Sequence, residues 1–576
     1  MTNDVTILTG IPGVGKTREI DQLLRNNPDK KKIYLITSHD QLSEREDFLK
    51  GVEVTHWFGM KLICPKKHEE PIKTMVEVGA PTRWICRLCQ SMKLISPDDC
   101  PHKTQFQNPA NIVIAPATYL FTEHVKKYDP DLIVVDDVIL RKQDLPHLST
   151  IRNYIHQLYS LGFCDYDTLE ELFDLGGSDL KRYILSTIEP RLKAGLNRLL
   201  KERSELSKET ARIVLLKVDP MELLDWCRLV KVYGWQEEFS IPLLMPIFEL
   251  SLENDREVIV VGAQINKLFL EMLAKCFQRE CGEPIRLNYR RIELDQPSAK
   301  SVVYRVRSPK YSGAWYPTTT SVTKNRRERE IIKQRIETIL LSVVKEPSEL
   351  SDLTVGVVKP KNANMTDFLT TLVEHYPRIM SLDFGNLRGS NQLENCDILI
   401  VIGTYKVNIE DLVKDFERFY HRKSWTTKSE KLFDGGYKYT DSELENFRRM
   451  VEEYEMYQAI HRVRPALRQK RIFVFGLIPH EIREEFEVKD LTFEKDEMGV
   501  MCLVEWESFD KFVREKIAET GIFHGDLVKA ISVEFDLSKE ATRQRIRKFV
   551  SNHSDEYEIT EKTIGDRKFK YVQRRR

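Results

Sequence analysis

A chain of 576 residues is too long for one hydrophobic core and accommodates about three or four domains. Its 41% apolar content makes it globular, and its 89 basic side chains balance 89 acidic ones. It therefore has no global field to draw it to nucleic acid or to an anionic membrane, and any polyanion site has to be a local patch. The opening residues Met1-Thr2-Asn3-Asp4-Val5 lack a basic segment followed by an apolar one, and no apolar run reaches bilayer-spanning length. The expectation is a soluble, cytoplasmic protein that engages no membrane.

Residues 5–9 form a β-branched apolar run, and residues 18–24 have helical spacing. Between them Gly10-Ile11-Pro12-Gly13-Val14-Gly15-Lys16-Thr17 reads GxxxxGKT. Gly10, Gly13 and Gly15 let the backbone bend until its amides point at phosphate oxygens, and the following helix adds its positive end. Lys16 would neutralise the β and γ phosphates, and the Thr17 hydroxyl would hold Mg2+. The plain alternative is a glycine-rich strand-to-helix turn. A second buried strand over 32–37 leads into Ser38-His39-Asp40, where a parallel sheet presents its ligand edge. A helix cap is the other reading of Ser38 and Asp40.

Residues 56–103 break this rhythm. Cys64, Cys86, Cys89 and Cys100 are spaced C-x21-C-x2-C-x10-C among Lys66, Lys67, Arg83, Arg87, Lys93, Trp57 and Trp84. In a compartment that keeps thiols reduced, this pattern points to a tetrathiolate metal site, and zinc and a [4Fe-4S] cluster both fit. The other six cysteines are scattered in apolar surroundings and read as buried thiols.

Strand character returns at 111–120. A buried strand at 132–135 then delivers Asp136 and Asp137. Beside a phosphate loop, Asp136 would hold the Mg2+ hydration shell and Asp137 would orient the attacking water, whereas two acids after a strand are otherwise an ordinary turn. Residues 145–250 read as helical, and a strand at 257–261 leads into Gly262-Ala263-Gln264-Ile265.

A linker over 304–324 opens a second α/β unit, with strands expected at 354–358, 397–403 and 471–475. Two stretches in it carry chemistry. One is Leu387-Arg388-Gly389-Ser390-Asn391. The other holds Gln458, His461, Arg462 and Arg464, whose guanidinium groups suit the charge of phosphoryl transfer. From about 507 onward, three helices and a strand-turn-strand through Gly565-Asp566 give a winged-helix pattern. Its third helix, with Arg543, Arg545, Arg547 and Lys548, suits a groove of duplex DNA.

With these motifs in order, the chain resembles the iron-sulfur DNA helicases of the xeroderma pigmentosum D type, members of helicase superfamily two, over roughly residues 1–480. Residues 10–17 match the first motif and Asp136-Asp137 the second. The cysteines lie between them, where that family inserts its cluster domain. The run from Cys100-Pro101 through Ala110-Asn111-Ile112-Val113-Ile114-Ala115-Pro116 to Tyr119-Leu120 is the most specific part of the likeness. Residues 388–391 resemble the fifth motif and 458–464 the sixth. The resemblance implies two RecA-like P-loop motor domains in an α/β chain, at 1–55 with 104–144 and 251–303, and at 304–485. It further implies a four-cysteine cluster domain at 56–103 and a helical, arch-like insertion at 145–250, with the winged helix at 507–576 outside it. The implied activity is ATP-dependent, Mg2+-supported 5′ to 3′ movement on single-stranded and forked DNA, by a protein expected to be a monomer.

This sequence departs from the family at several motifs. The second motif is Asp136-Asp137-Val138-Ile139 in place of Asp-Glu-Ala-His, which shortens the water-orienting carboxylate and implies slow hydrolysis. Gly262-Ala263-Gln264-Ile265 replaces Ser-Ala-Thr-Leu. The two arginines of the sixth motif are separated by one residue rather than two, so Arg462 is the one expected at the nucleotide. These departures leave open an ATP-binding, DNA-binding regulator or replication-initiation switch that does not unwind, and a zinc-stapled NTPase acting on RNA.

Overall fold

In the computed structural model of the chain, the N-terminal β-branched run forms β1 (Asp4–Thr9). It is followed by β2 (Lys32–Ile36), β3 (Thr55–His56), β4 (Ile112–Pro116), β5 (Leu132–Asp136), β6 (Lys142–Asp144), β7 (Ser240–Pro242), β8 (Glu257–Gly262) and β9 (Arg286–Arg291). The structure describes residues 4–10, 16–37, 49, 51–69, 72–77, 82–137, 139–202, 218–253, 256–262, 266–292, 301–306, 318–343, 353–375, 378–387, 392–421, 427–431, 437–495, 501–505, 513–514, 516–517, 522–534, 543–544, 546–547, 549–550, 557–564 and 567–574. The chain divides into two units, Met1–Glu293 with Asn408–Trp425, and Leu294–Val407 with Thr426–Arg576.

In the first unit seven strands pair in the order β3-β4-β2-β5-β8-β1-β9, and every pair is parallel. A parallel sheet is covered on both faces, which is why the continuous apolar runs at 33–36 and 132–135 become its inner strands. The helix Lys16–Arg25 buries Ile20 and Leu24 with Leu8, Tyr34 and Ile36. Its last carbonyls are capped by the buried Lys32, whose Nζ donates to Leu24 O at 2.7 Å and to Asn26 O.

Between β3 and β4 the cysteine segment folds as short helices, Met60–Ile63, Ile72–Glu77, Thr82–Ser91 and Pro101–Thr104. It is tied to the sheet by Gln105, which accepts from Phe58 N at 2.7 Å and donates to Phe58 O at 3.1 Å. Trp57 Nε1 donates to Gln105 O at 3.1 Å, and Phe106 stacks on His124 with ring centroids 3.6 Å apart. Beyond β6 the unit is largely helical, with Leu148–Ser160, Glu189–Glu202 and Glu222–Tyr233 among its longer helices.

One element of this unit comes from far down the chain. The helix Ile409–Tyr420 is capped by Asn408, whose side chain accepts from Glu410 N, and buries Leu412, Phe416, Phe419 and Tyr420. Lys142 Nζ meets Asp415 at 2.7 Å, Arg418 pairs with Glu238, and Tyr420 O accepts from Cys276 Sγ at 3.8 Å. Local amphipathicity makes this stretch a helix, and the packing partner comes from the first unit.

The second unit contains β10 (Val302–Val306), β11 (Val355–Lys359), β12 (Ile379–Asp383), β13 (Ile398–Ile402), β14 (Ser429–Lys431), β15 (Tyr437–Tyr439), β16 (Arg471–Phe475), β17 (Glu487–Lys495) and β18 (Met501–Glu505). Its main sheet runs β12-β11-β13-β16-β10-β17-β18. All pairs are parallel except β17 with β18. Helices Arg326–Val343 and Ala363–His375 cover it through Ile336, Leu340, Met365 and Leu372. The expected α/β class, with two largely parallel sheets, is thus the observed one. In the C-terminal region β19 (Ile522–Phe523), β20 (Tyr557–Ile564) and β21 (Arg567–Arg574) form a sheet in the order β19-β21-β20. With the helix His524–Glu534, these strands enclose a small core of Leu527, Ile531, Ile546, Phe549 and Val572. No described helix is long and apolar enough to cross a membrane.

Candidate functional site

Gly10 and Lys16, the described ends of the GxxxxGKT motif with the backbone of Thr17, follow β1 at the carboxyl edge of a parallel sheet. β1 ends at Thr9, which pairs with Gly262 of β8, and Val261 of β8 pairs with Asp136 of β5. The carboxyl ends of β1 and β5 therefore lie on one edge, two strand spacings or about 10 Å apart. Lys16 opens the helix after β1, and its Nζ donates to the carbonyl of the buried Gly10. The ammonium is thus folded back onto Gly10, the residue that follows β1.

Asp136 ends β5 half-buried, and the hydroxyl of Tyr34 on β2 donates to its Oδ2 at 2.6 Å. Asp137 turns the chain out of the strand at φ 56°, a left-handed conformation that aspartate tolerates better than bulky residues, and its N–H donates to Val261 O at 3.0 Å. The second motif is thus clamped by neighbouring strands on both sides. Gly13, Gly15, Ser38, His39, Asp40, Ala263, Gln264 and Ile265 lie outside the described residues, and of Thr17 only the helical backbone is described.

In the second unit Gln458 is buried in the helix Tyr454–His461, and Arg462, just past its end, donates to the Gln458 side chain. Arg464 stands at φ 50° and pairs with Glu394 at 3.1 Å. The neighbouring His461 is buried and meets Glu485 at 3.0 Å, which also accepts from Tyr457 at 2.9 Å. Gln458 and Arg462 thus form one unit, and Arg464 faces an acid. Arg388, Gly389, Ser390 and Asn391 lie outside the described residues.

Cys64, Cys86, Cys89 and Cys100 line one cavity, together with Met60, Ile85, His102 and Lys103. All four carry free thiols, and Cys86 Sγ lies 3.5 Å from His102 Nδ1. Burial, reinforced by the other three cysteines, pushes the Cys86 thiol up to about 12, and burial lowers the His102 imidazole to about 4. At neutral pH the Cys86 thiol thus stands beside a neutral imidazole. Among the described residues no three His, Cys, Asp or Glu side chains stand in a metal-binding array. The four sulfurs do share one largely apolar cavity.

No protein-family model matches the chain, and no curated protein matches it. Among solved structures it is similar to S. cerevisiae Dbp5 bound to RNA and ADP BeF3, with 8% identity, a TM-score of 0.30, and 84% of this chain and 85% of that one covered. It is also similar to a DEAD box protein from the hyperthermophile Methanococcus jannaschii, with 10% identity, a TM-score of 0.25 and coverage of 84% and 88%. A third likeness is to a truncated XPD, with 14% identity, a TM-score of 0.24 and coverage of 50% and 95%. The fold assignment stands on the two parallel sheets of this chain.

Three partners in these sites carry no motif signal. Tyr34 sits inside an apolar run, Glu394 precedes a buried strand, and His102 follows Cys100-Pro101 without metal-ligand spacing of its own. The signal for Tyr34 was its hydroxyl, a group that needs a partner when buried in a strand.

Proposed function

We propose that this chain is an ATP-dependent nucleic-acid motor, a helicase or translocase acting on single-stranded and forked DNA. The observation that carries the reading is the placement of Lys16 and Asp136 on one edge of a parallel sheet, with Lys16 folded onto Gly10. Gly10, Gly13, Gly15 and Lys16 would cradle the phosphates of ATP, while Thr17 and Asp136 would hold Mg2+ and Asp137 would orient water. Bound there, Mg2+ would supply charge neutralisation at the transferring phosphate. Arg462, whose side chain meets Gln458, would be the guanidinium for that charge, and Gly389 would serve the same chemistry. The 5′ to 3′ polarity follows the resemblance.

Cys64, Cys86, Cys89 and Cys100 would hold a [4Fe-4S] cluster, with zinc as the other centre their sulfurs fit. That group would staple a segment with little core of its own. The C-terminal sheet and helices read as a winged helix for duplex DNA, since Arg543 and Arg547 are helical and exposed.

The deciding experiment measures ATP hydrolysis with and without single-stranded DNA, in wild type and in Lys16→Ala. DNA-stimulated turnover that falls about 100-fold or more in the variant supports the reading. Turnover unchanged by the substitution sinks it. A switch that binds ATP and DNA without unwinding is a second reading, favoured by the shortened acid at Asp137 and its left-handed backbone. Displacement of a strand from a forked duplex separates the two.

A further inference from the structure

Tyr34 lies in the middle of β2 with no exposed surface, in the same apolar cluster as Leu8, Ile20, Leu24 and Ile36. A hydrophobic residue would fill this place, and a tyrosine brings a hydroxyl that must find a partner. Tyr34 pairs in register with Val134 of β5, and its ring reaches two residues along that strand, so that the hydroxyl meets Asp136 Oδ2 at 2.6 Å. An O–H···O contact of this length is that of a charge-assisted bond to a carboxylate. The bond runs from the closed core of the sheet to the edge residue that the proposed function places at the nucleotide.

We propose that Tyr34 is a positioning residue of the nucleotide site. Its hydroxyl commits one oxygen of the Asp136 carboxylate to the protein and so sets the orientation in which that carboxylate meets the Mg2+ of the bound nucleotide. Two physical consequences follow. The carboxylate is held in one rotamer before ligand arrives, so binding does not have to order it. Its hydrogen bond comes from a buried ring whose position the strand register fixes, so the anchor does not move with the loops around the site.

The inference rests on the nucleotide reading, and its test is chosen to separate the two. Tyr34→Phe removes one oxygen atom and keeps the ring that fills the core. Binding of a fluorescent ATP analogue to the full chain is titrated with Mg2+, without reference to turnover. The half-saturating Mg2+ concentration is expected to rise about tenfold in Tyr34→Phe. Affinity for the analogue in the absence of Mg2+ stays within about twofold of wild type. In an Asp136→Asn background the same substitution adds nothing, because the acceptor it served has lost its charge. A half-saturation equal to wild type overturns the positioning role while leaving the nucleotide site standing. A wild-type chain that binds the analogue no better with Mg2+, or no better than Lys16→Ala does, overturns both. A second measurement deletes nothing. Fluorotyrosine placed at position 34 and read by fluorine NMR is expected to shift on adding Mg2+ with ATP and to stay put with Mg2+ alone. A signal that is unmoved by Mg2+ with ATP overturns the proposal even where Tyr34→Phe folds poorly.

Discussion

Arg464 Nη2 lies 3.1 Å from Glu394 Oε2 and its backbone is left-handed at φ 50°, whereas Arg462, two residues earlier, donates to the side chain of Gln458. The two arginines of the motif are therefore held differently. Arg462 is aligned by a neutral amide, while a carboxylate meets the charge of Arg464. Arg462→Ala is expected to cut ATP turnover about 1,000-fold with nucleotide affinity within about threefold of wild type. Arg464→Ala is expected to lower turnover by less than about threefold. Steady-state hydrolysis together with nucleotide titration of both variants checks this, and equal losses would remove the distinction.

The strands that were legible in the sequence are the ones buried on both faces. Residues 33–36, 132–135 and 398–402 are unbroken apolar runs because helices cover both sides of them. Arg286–Arg291 and Ile379–Asp383 gave no such signal, since they are edge strands with polar, exposed positions. The GxxxxGKT motif was legible because it is contiguous in sequence. Its partner Tyr34 was not, because the contact with Asp136 depends on β2 and β5 being neighbours across 102 residues. The helix Ile409–Tyr420 shows the same limit, for its amphipathic pattern announces a helix and says nothing of Lys142 or Cys276, against which it packs.

The four-cysteine cavity makes a compositional prediction. Protein purified without oxygen is expected to be brown, with iron and sulfide in equal amounts, and colourless protein with stoichiometric zinc would assign the other centre. Cys89→Ser is expected to lose the metal and to open residues 56–103 to protease, because the segment's helices are short and its own apolar core is small. Metal analysis beside limited proteolysis checks both halves. Full metal content in the variant would take Cys89 out of the ligand set.

His421 gives the first unit an acid-sensitive joint. It is buried at φ 50° just past the helix Ile409–Tyr420, tilted against Tyr233 and edge-on to Phe239, with Glu280 3.9 Å from its Nε2. Burial, and then the Arg228 guanidinium, lower its basicity to about 3. An imidazole lowered on folding binds its proton more readily in the unfolded chain. Its contribution is thus complete above the ordinary value of about 6.5 and is lost as pH falls toward 3. Asp225, pushed up to about 6 by burial, and Glu280, pushed up likewise, work in the opposite sense and are relieved by protonation. The comparison therefore has to be between variants. His421→Asn tolerates the left-handed backbone and removes the titrating ring. Its melting temperature is expected to fall less steeply than that of wild type between pH 6.5 and 4, and parallel slopes would show that His421 does not carry the acid limb.

Gly476 is required by a close crossing of backbones at the carboxyl edge of the second sheet. A Cβ there would stand 2.9 Å from Thr404 N and 3.0 Å from both Gly403 C and Thr404 Oγ1. Two of those three atoms are backbone and cannot swing aside. Thr404 is itself fixed, since its Oγ1 accepts from Leu477 N at 2.8 Å and its carbonyl accepts from Thr319 N at 3.0 Å. Gly403 has φ 86°, so the neighbouring residue has already spent the conformational freedom that could have relieved the contact. Gly476→Ala is expected to destabilise the fold by about 1–3 kcal/mol through overpacking, lowering the melting temperature by about 2–10 °C. Gly177→Ala, at the start of a helix with nothing within 4 Å of the added carbon, is expected to leave it unchanged or slightly raised. Thermal melts of the two variants beside wild type decide the matter, and equal shifts would mean that the crossing relaxes.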